Sequence, residues 1–299
     1  MPETDTPDFR PTQDEKWATN YDAGLALNAE INTPGTNLHL LYNQPEEYFK
    51  KYFPSLETNQ ENIEIAKQNA IAGFLDGSER EIRRLSKDGL CAPWEVLNRA
   101  GIEAVAQIEA AKMKNNRPGA YQGIAVLMAD IDGLNRINDT IGHGVGDQAI
   151  CNLARTLHDS VREVDPKGRY GGDEFVILFP FEDSATAERI MPGIIKKISR
   201  LADQWRQEMK QTAYDNKPFP DDNTSLPKGC YPGRVSLGWH FLPKEVVVSK
   251  YDEYNKDKIA GRAASLINLL TREADKKMYM MKNSTPTPLP GVPPKIASS

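Results

Sequence analysis

Two uninterrupted apolar runs dominate the pattern of hydrophobic and polar positions along the chain. One covers residues 124–129, and the other covers residues 175–179 and is rich in aromatic and β-branched side chains. Runs of this length and composition are typical of strands that are buried in a sheet. We therefore predict a strand at each run and a further strand over residues 234–241.

Three longer stretches carry apolar positions at helical spacing. They cover residues 59–87, 185–213 and 260–282, and we predict a helix over each. Gly73 and Gly77 are expected to interrupt the first of these, so it is not a sustained heptad coiled coil. The pattern leaves two interpretations open for this stretch: a helix that packs on the remainder of its own chain, or a dimerising or signalling helix.

Each apolar run adjoins a pair of acidic residues. Asp130 and Asp132 follow the first run, and Asp173 and Glu174 precede the second. Acids at the end of a buried strand are costly unless a cation or hydrogen bonds compensate them. A sheet that places the first run beside the second would bring Asp130, Asp173 and Glu174 together. The alternative is that both pairs are ordinary solvated strand ends.

Carboxylate oxygens are the ligands that Mg²⁺ prefers, especially where a phosphate completes the coordination shell. Two such ions, roughly 3.5–4 Å apart, can activate a hydroxyl group and stabilise a displaced phosphate. The acids therefore indicate a candidate metal site. Gly171 and Gly172 come directly before Asp173, and we expect them to adopt the positive backbone angles of a tight turn and to leave room for a ligand.

Between the two acidic pairs, glycines at 142, 144 and 146 mark loops that lead into a predicted helix. Its apolar stripe consists of Val145, Ile150, Leu153, Leu157, Val161 and Val164. Asp147 is expected in the first turn, where a carboxylate suits the helix dipole. It either caps this helix or, with Asn138, recognises guanine, whose two adjacent N–H donors match one carboxylate. Adenine would leave such buried groups unpaired.

These motifs resemble the GGDEF domain, the catalytic domain of diguanylate cyclases. The resemblance extends over roughly residues 88–282, and its landmarks occur in the order of the family. They are Asp130-Ile131-Asp132, Asn138-Asp139, Gly142-His143, Gly146-Asp147, Arg169 to Phe175, Val235-Ser236-Leu237-Gly238, and Ala274-Asp275 with Tyr279 and Lys282. The resemblance implies an α/β (α+β) fold with a mixed, largely antiparallel central sheet flanked by helices, similar to nucleotidyl cyclases. It also implies that two GTP molecules condense into cyclic di-GMP and release two pyrophosphates.

By position, the resemblance assigns a role to each candidate residue. The catalytic set would be Asp173, Glu174 and Asp130, with Asp173 as the primary metal ligand and the candidate base for the attacking 3′-hydroxyl. Two Mg²⁺ ions, or Mn²⁺, would be held by Asp130, the carbonyl of Ile131, Asp173 and Glu174. The residues that would bind GTP are Asn138, His143, Asp147, Gly171 and Lys282. Lysine suits phosphate because it is a point charge on a flexible stem.

Arg162 and Asp165 stand at the family's spacing for an inhibitory site that binds the product, cyclic di-GMP. The planar fork of arginine suits phosphate and the edge of guanine. The alternative is an exposed helix end whose charges pair by chance. Because one chain would hold one GTP at the proposed site, catalysis should need two facing protomers, and the two-fold symmetric product fits a homodimer.

Some positions depart from the family pattern. Asn135 stands where a lysine is usual, and Pro286 where an arginine often helps to hold the triphosphate. These departures keep a second function open, an inactive GGDEF domain that senses GTP or cyclic di-GMP. A third function, synthesis of another cyclic nucleotide, is disfavoured by Asp147.

Composition restricts the classes of partner and compartment. The 299 residues have a net charge of −5 and a pI near 5.6, which gives no basic surface for nucleic acid, and no apolar run is long enough to span a bilayer. The odd count of three cysteines, widely scattered, favours reduced thiols and a cytoplasmic location.

We expect three regions: a partly helical extension over residues 1–87, a catalytic domain over 88–282 with insertions at 214–233 and 244–258, and a disordered tail over 283–299.

Overall fold

The computed structural model describes residues 60–115, 121–212, 217, 219–220, 231–259 and 265–282. The predictions for residues 1–59, for most of the insertion at 214–233, for Pro286 and for the tail lie outside the described residues. The helices are α1 (Gln60–Leu85), α2 (Arg99–Lys114), α3 (Leu134–Ile141), α4 (His143–Ser160), α5 (Ser184–Gln211), α6 (Lys244–Ile259) and α7 (Leu266–Lys282). The strands are β1 (Gly123–Ile131), β2 (Lys167–Arg169), β3 (Glu174–Phe181) and β4 (Val235–Pro243).

The four strands form one sheet in the order β2-β3-β1-β4, and every pairing among them is antiparallel. An isolated bridge between Leu97 and Gly168 is parallel. The prediction of an α+β fold with a largely antiparallel central sheet is therefore confirmed, as are the strands expected at the two apolar runs. The apolar composition of β1 and β3 suits the centre of the sheet, because all nine residues of β1 and the last seven of β3 are buried.

Helices cover both faces of the sheet. On one face, Leu127, Phe175 and Phe179 share a core with apolar side chains of α4 and α5. On the other face, α7 lies directly on β4 at Gly238, where a Cβ atom would stand 2.2 Å from the carbonyl oxygen of Ala274. This close approach requires glycine, and it fixes the distance between α7 and the sheet.

The chain divides into two compact units, one of residues 1–85 with 107–120 and the other of residues 86–106 with 121–299. In the first unit, α1 is continuous, so the expected interruption at Gly73 and Gly77 is wrong. Glycine in a helix costs only about 1 kcal/mol relative to alanine. The burial of Ile71 and Leu75 offsets that cost.

Residues 244–258, which we interpret as an insertion, lie within α6. Its amphipathic pattern is weak because most of its residues are charged or polar, although Val247 and Tyr254 are buried. Among the described helices, none combines the length and the apolarity that crossing a bilayer requires.

Candidate active site

The antiparallel register of β1 and β3 brings the predicted acids to one end of the sheet. Asp130 pairs directly with Glu174, and the backbone N–H of Ile131 donates to the carbonyl of Asp173 at 3.3 Å. Side chains that face one another across an antiparallel pair are close neighbours. The structure therefore places Asp130, Ile131, Asp173 and Glu174 in one cluster, as their positions after and before two buried strands indicated.

Residues 170–174, here called the acidic turn, connect β2 to β3. The backbone N–H groups of Tyr170 and Gly171 both donate to the carbonyl of Glu174, at 2.8 and 3.2 Å. From β2, the guanidinium of Arg169 donates to the carbonyl of Gly172 through Nε at 3.0 Å and Nη2 at 2.7 Å. These bonds fix the backbone that presents the two acids.

The expected positive backbone angles at Gly171 and Gly172 are wrong. The described glycines with positive φ are Gly133, Gly142 and Gly233. The acidic turn closes without a residue of positive φ. Gly171 matters instead because it leaves space for the side chain of Glu174. A Cβ atom there would stand 2.6 Å from Oε2 of Glu174, so a larger residue would displace that carboxylate.

The acids of this cluster repel one another. Burial raises the pKa of Asp130, and the charges of Asp173 and Asp275 raise it further, while Lys282 opposes them. Burial and the charges of Asp130, Asp173 and Asp275 likewise raise the pKa of Glu174. Asp130, Asp173 and Glu174 thus all interact with one ammonium, that of Lys282, which stands 2.5 Å from Oδ1 of Asp130. The cluster holds more negative charge than its lysine neutralises.

Lys282 reaches this cluster from the last turn of α7. Burial alone would lower the pKa of its ammonium, but the hydrogen bond to Asp130 and the charges of Asp130, Asp132 and Asp173 raise it. Its side chain is 23 % exposed, so Lys282 is partly accessible to solvent. The sequence predicted Lys282 as a phosphate contact, whereas the structure pairs it with a carboxylate.

Asp132 differs from Asp130 in its surroundings. Its two carboxylate oxygens accept a shared hydrogen bond from the hydroxyl of Ser236 on β4, at 2.9 and 3.0 Å. Burial raises the pKa of Asp132 to about 6. The hydroxyl of Ser236 therefore stabilises the carboxylate of Asp132. This hydrogen bond attaches Asp132 to β4 rather than to the acidic turn.

The donor set fits divalent metal ions by its chemistry. Hard carboxylate oxygens with excess negative charge, next to a strand-end carbonyl, are suitable ligands for Mg²⁺ or Mn²⁺. Among the described residues, no three acidic, histidine or cysteine side chains are already gathered around one metal position. Lys282 instead supplies the positive charge beside Asp130.

The residues predicted to bind guanine lie around the junction of α3 and α4. Asn138 and Gly146 are in close contact, because a Cβ atom on Gly146 would stand 1.8 Å from Oδ1 of Asn138. His143 is the first residue of α4, and Asp147 is its fifth; both side chains are exposed. The structure thus brings Asn138 and Asp147 to adjoining positions of one surface.

The prediction that Asp147 lies in the first turn of its helix is wrong, and with it the interpretation as a helix cap. Gly142 occupies the N-cap position at φ 111°, and α4 begins at His143. The positive φ at Gly142 lets the chain turn directly from α3 into α4. Asp147 therefore lies one turn inside the helix, with its carboxylate free of any capping role.

Arg162 and Asp165 lie in the turn between α4 and β2, because α4 ends at Ser160 rather than at Val164 as predicted. Pro166 opposes a helical conformation at the residue before it, which helps to end the helix. The guanidinium of Arg162 contacts Asp165 at 2.6 Å, and its backbone N–H donates to the same carboxylate at 3.0 Å. The carboxylate is buried, and the guanidinium is half exposed.

A polar cluster at the start of α7 is absent from the residues predicted from the sequence. Glu103 of α2 accepts hydrogen bonds from the first turn of α7, and Tyr170 of the acidic turn bonds to Asn268. Ser265, immediately before an apolar helical run, is a recognisable N-cap signal. Nothing in the pattern indicates that Glu103 and Tyr170 are its neighbours.

Residues 95–215 match the family model described as "Diguanylate cyclase, GGDEF domain". The chain contains a GGDEF domain.

Curated relatives of this GGDEF domain include three bacterial signalling proteins. The chain is 36 % identical over 89 residues to the bifunctional diguanylate cyclase/cyclic di-GMP phosphodiesterase MucR of Pseudomonas aeruginosa, covering 30 % of this chain and 13 % of MucR. It is 41 % identical over 76 residues to the response regulator PleD of Caulobacter vibrioides, covering 25 % and 17 %. It is 37 % identical over 106 residues to the diguanylate cyclase DosC of Escherichia coli, covering 34 % and 22 %. The match spans less than a quarter of each relative's length.

Solved structures of GGDEF domains also resemble this one. The GGDEF domain of DgcB from Caulobacter crescentus, in complex with c-di-GMP, matches at 22 % identity and a TM-score of 0.35, covering 59 % of this chain and 89 % of that chain. A sensory box/GGDEF family protein from Caulobacter crescentus CB15 matches at 24 % identity and a TM-score of 0.39, covering 66 % and 97 %.

Proposed function

We propose that this GGDEF domain is a diguanylate cyclase that condenses two GTP molecules into cyclic di-GMP. The observation that supports it most strongly is the cluster at the end of the sheet, where Asp130 pairs with Glu174 and adjoins Asp173. In each of two steps, a 3′-hydroxyl attacks the α-phosphorus of the other GTP. A new phosphorus–oxygen bond forms, the bond to the β-phosphate breaks, and pyrophosphate leaves.

Asp173, Glu174, Asp130 and the carbonyl of Ile131 are the groups that would hold two Mg²⁺ ions. Bound there, the ions would lower the pKa of the attacking hydroxyl and neutralise the leaving pyrophosphate. Asp173 lies in the acidic turn and is proposed to take the proton of the 3′-hydroxyl.

Lys282 is proposed to exchange partners when the substrate binds. In the structure its ammonium neutralises Asp130, a role that a divalent cation would take over. The flexible stem could then carry the ammonium to a phosphate oxygen. This exchange reconciles the predicted phosphate contact with the observed ion pair.

Specificity for guanine is assigned to the surface around the start of α4. The exposed carboxylate of Asp147 can accept from the two adjacent N–H donors of guanine, and Asn138 beside it can donate to an acceptor of the base. His143 and Gly171 complete the proposed GTP site, with Gly171 allowing close approach to the backbone. A site built on paired donors and acceptors discriminates strongly against adenine.

The proposed enzyme works as two protomers that face each other, each contributing one GTP. Arg162 and Asp165 are proposed to bind the product as a feedback ligand. The half-exposed guanidinium is available to a phosphate or a guanine edge, while the buried Asp165 holds it in place.

The proposal is tested by incubating the purified protein with GTP and Mg²⁺ and separating the nucleotides by chromatography. Wild type is expected to yield cyclic di-GMP and pyrophosphate in a ratio of about one to two, while Asp173→Asn and Asp130→Asn yield none, because each removes a ligand of the activating ions. Asp159→Asn, a change at an exposed aspartate paired with Arg155, is the matched control and should retain full turnover.

Substantial turnover by either site variant would contradict the two-metal assignment. If wild type binds GTP or cyclic di-GMP but forms no product, the second function, a sensor without catalysis, replaces the first. Asn135 is the feature that favours this second function, because α3 there lacks the lysine usual in the family.

A further inference from the structure

The first turn of α7 is held by a carboxylate from another helix. Glu103 of α2 accepts hydrogen bonds from the backbone N–H of Leu266 at 2.7 Å and of Ile267 at 3.2 Å, and from the hydroxyl of Ser265 at 2.7 Å. The first N–H groups of a helix have no partner within it, and negative charge is favourable there. Glu103 therefore anchors this end of α7 to α2.

Tyr170 attaches the acidic turn to the same end of α7. Its hydroxyl donates to Oδ1 of Asn268 at 2.6 Å and lies 3.1 Å from the hydroxyl oxygen of Ser265. Arg99 of α2 lies 4.6 Å from the centre of the tyrosine ring and donates to the hydroxyl at 3.4 Å. The tyrosine is thus fixed from two sides, with its backbone in the turn and its hydroxyl on α7.

The far end of α7 carries Lys282. At 1.5 Å per residue, the sixteen steps from Leu266 to Lys282 place the ammonium-bearing residue roughly 24 Å along the helix axis. The middle of the helix rests on Gly238, where a Cβ atom would stand 2.3 Å from the backbone nitrogen of Met278. The helix is continuous from Leu266 to Lys282, so the position of its first turn also bears on the position of Lys282.

We propose that Tyr170 is a positioning residue for the reaction. Through its hydroxyl it couples the acidic turn, which carries Asp173 and Glu174, to the helix that carries Lys282. The relative position of these acids and the ammonium is thereby set at a point remote from the substrate. This inference rests on the proposed diguanylate cyclase function, since it assigns to Tyr170 the geometry of that site.

The test is a double-mutant cycle between Tyr170→Phe and Lys282→Met. Phenylalanine keeps the ring beneath Arg99 and removes only the hydroxyl, and one hydrogen bond corresponds to roughly a tenfold change. We expect Tyr170→Phe to lower kcat/KM about tenfold when Lys282 is present and less than twofold in the Lys282→Met background. An equal loss in both backgrounds would show that Tyr170 does not act through Lys282 and would overturn the proposal.

Tyr231→Phe is the matched control, because its ring also lies beside an arginine, Arg206, at 6.0 Å. It should leave kcat/KM unchanged. A third background, Lys282→Arg, retains the positive charge and should restore part of the sensitivity to Tyr170→Phe.

A second measurement does not depend on turnover. Hydrogen exchange at the amides of residues 266–268 should become faster in Tyr170→Phe and remain unchanged in Tyr231→Phe. Both variants are expected to have the same thermal stability, so that the difference in exchange reports the local contact. Unchanged exchange in Tyr170→Phe would overturn the proposal. If wild type forms no cyclic di-GMP, the proposed function fails, and exchange alone then decides whether Tyr170 holds α7.

Discussion

Two lysines of this protein are surrounded by carboxylates, but their surroundings differ. Lys112 contacts Asp76 at 3.0 Å, Glu79 at 2.5 Å and Glu109 at 3.0 Å. Lys282 contacts Asp130 at 2.5 Å and reaches Asp132 only at 4.0 Å. Both side chains are mostly shielded from solvent, at 15 % and 23 % exposure.

Around Lys112, three carboxylates have two cations within reach, Lys112 and Arg83. Burial tends to raise the pKa of Glu79, but the charges of Lys112 and Arg83 lower it to about 2. Burial and the charge of Glu79 raise the pKa of Glu109, although Lys112 opposes them. Burial would lower the pKa of Lys112, yet Glu109, Glu79 and Asp76 raise it. Lys112 and Glu79 therefore stay charged, as in a structural ion pair.

Around Lys282 the charges are unbalanced. The pKa values of Asp130, Asp132 and Glu174 are all raised, in each case chiefly by burial. Perturbed pKa values of several neighbouring acids are common at functional sites. The comparison shows a larger shortage of positive charge at the candidate site, where Asp130, Asp173 and Glu174 adjoin one lysine, than around Lys112, where three carboxylates adjoin two cations.

Substitution at Lys112 should have the largest effect on stability. Lys112→Met leaves buried carboxylates without their cation, and breaking a buried pair in this way costs on the order of 3–5 kcal/mol of unfolding free energy. Urea denaturation monitored by circular dichroism would measure it. Lys276→Met, which removes an exposed pair with Glu273, is the matched control and should cost at most about 1 kcal/mol. Equal losses in the two variants would remove the basis of the comparison.

The pH dependence of stability should have opposite signs at Asp132 and at Glu79. The folded pKa of Asp132 is raised from 3.8 to about 6, so its contribution to stability is present below about pH 4 and is lost as the pH rises to 6 and above. The folded pKa of Glu79 is lowered from 4.5 to about 2, so its contribution is present above pH 4.5 and is lost as the pH falls towards 2.

Denaturation of Asp132→Asn and Glu79→Gln at several pH values would measure both slopes. Relative to Asp132→Asn, wild type should lose roughly 2–3 kcal/mol between pH 4 and pH 7. Relative to Glu79→Gln, wild type should lose stability between pH 5 and pH 3. Slopes of the same sign in both comparisons would contradict the different surroundings inferred for Asp132 and Glu79.

The sequence predicted one of these clusters and not the other, for physical reasons. Asp130, Asp173 and Glu174 adjoin apolar runs that can only be buried strands, so their convergence follows from the pairing of two strands. The partners of Lys112 lie on helical surfaces, where charges three and four residues apart normally face solvent. Asp76 and Glu79 lie on α1 and Glu109 lies on α2, so a contact between two helices brings them to Lys112, and no local pattern reports that contact.

The details that the sequence could not provide depend on contacts between distant segments. The ion pair between Lys282 and Asp130 depends on how closely α7 lies on β4. The position of Asp147 depends on the left-handed residue Gly142, which starts the helix earlier than the glycines of this segment suggest. In each case the local pattern allows several geometries, and long-range packing selects one.

Arg162 offers a third, smaller test, because its pair combines features of both clusters. Asp165 is 1 % exposed and Arg162 is 56 % exposed. Arg162→Ala should weaken binding of cyclic di-GMP by roughly ten- to a hundredfold, since it removes a charge-assisted contact worth about 1.5–3 kcal/mol. Initial turnover should persist.

The rate of product formation in the presence of added cyclic di-GMP should fall for wild type and for the control Arg155→Ala, but not for Arg162→Ala. Equal slowing in all three would assign Arg162 and Asp165 a purely structural role.

We propose that the cluster at Lys282, which has the larger shortage of positive charge, accepts divalent cations and that the cluster at Lys112 does not. Electron paramagnetic resonance can count Mn²⁺ ions bound per chain in the presence of a non-hydrolysable GTP analogue. The account predicts about two ions for wild type and for Glu79→Gln, and at least tenfold weaker binding for Asp130→Asn and Asp173→Asn. Equal Mn²⁺ binding by wild type and Asp173→Asn, or a loss of binding in Glu79→Gln, would contradict it.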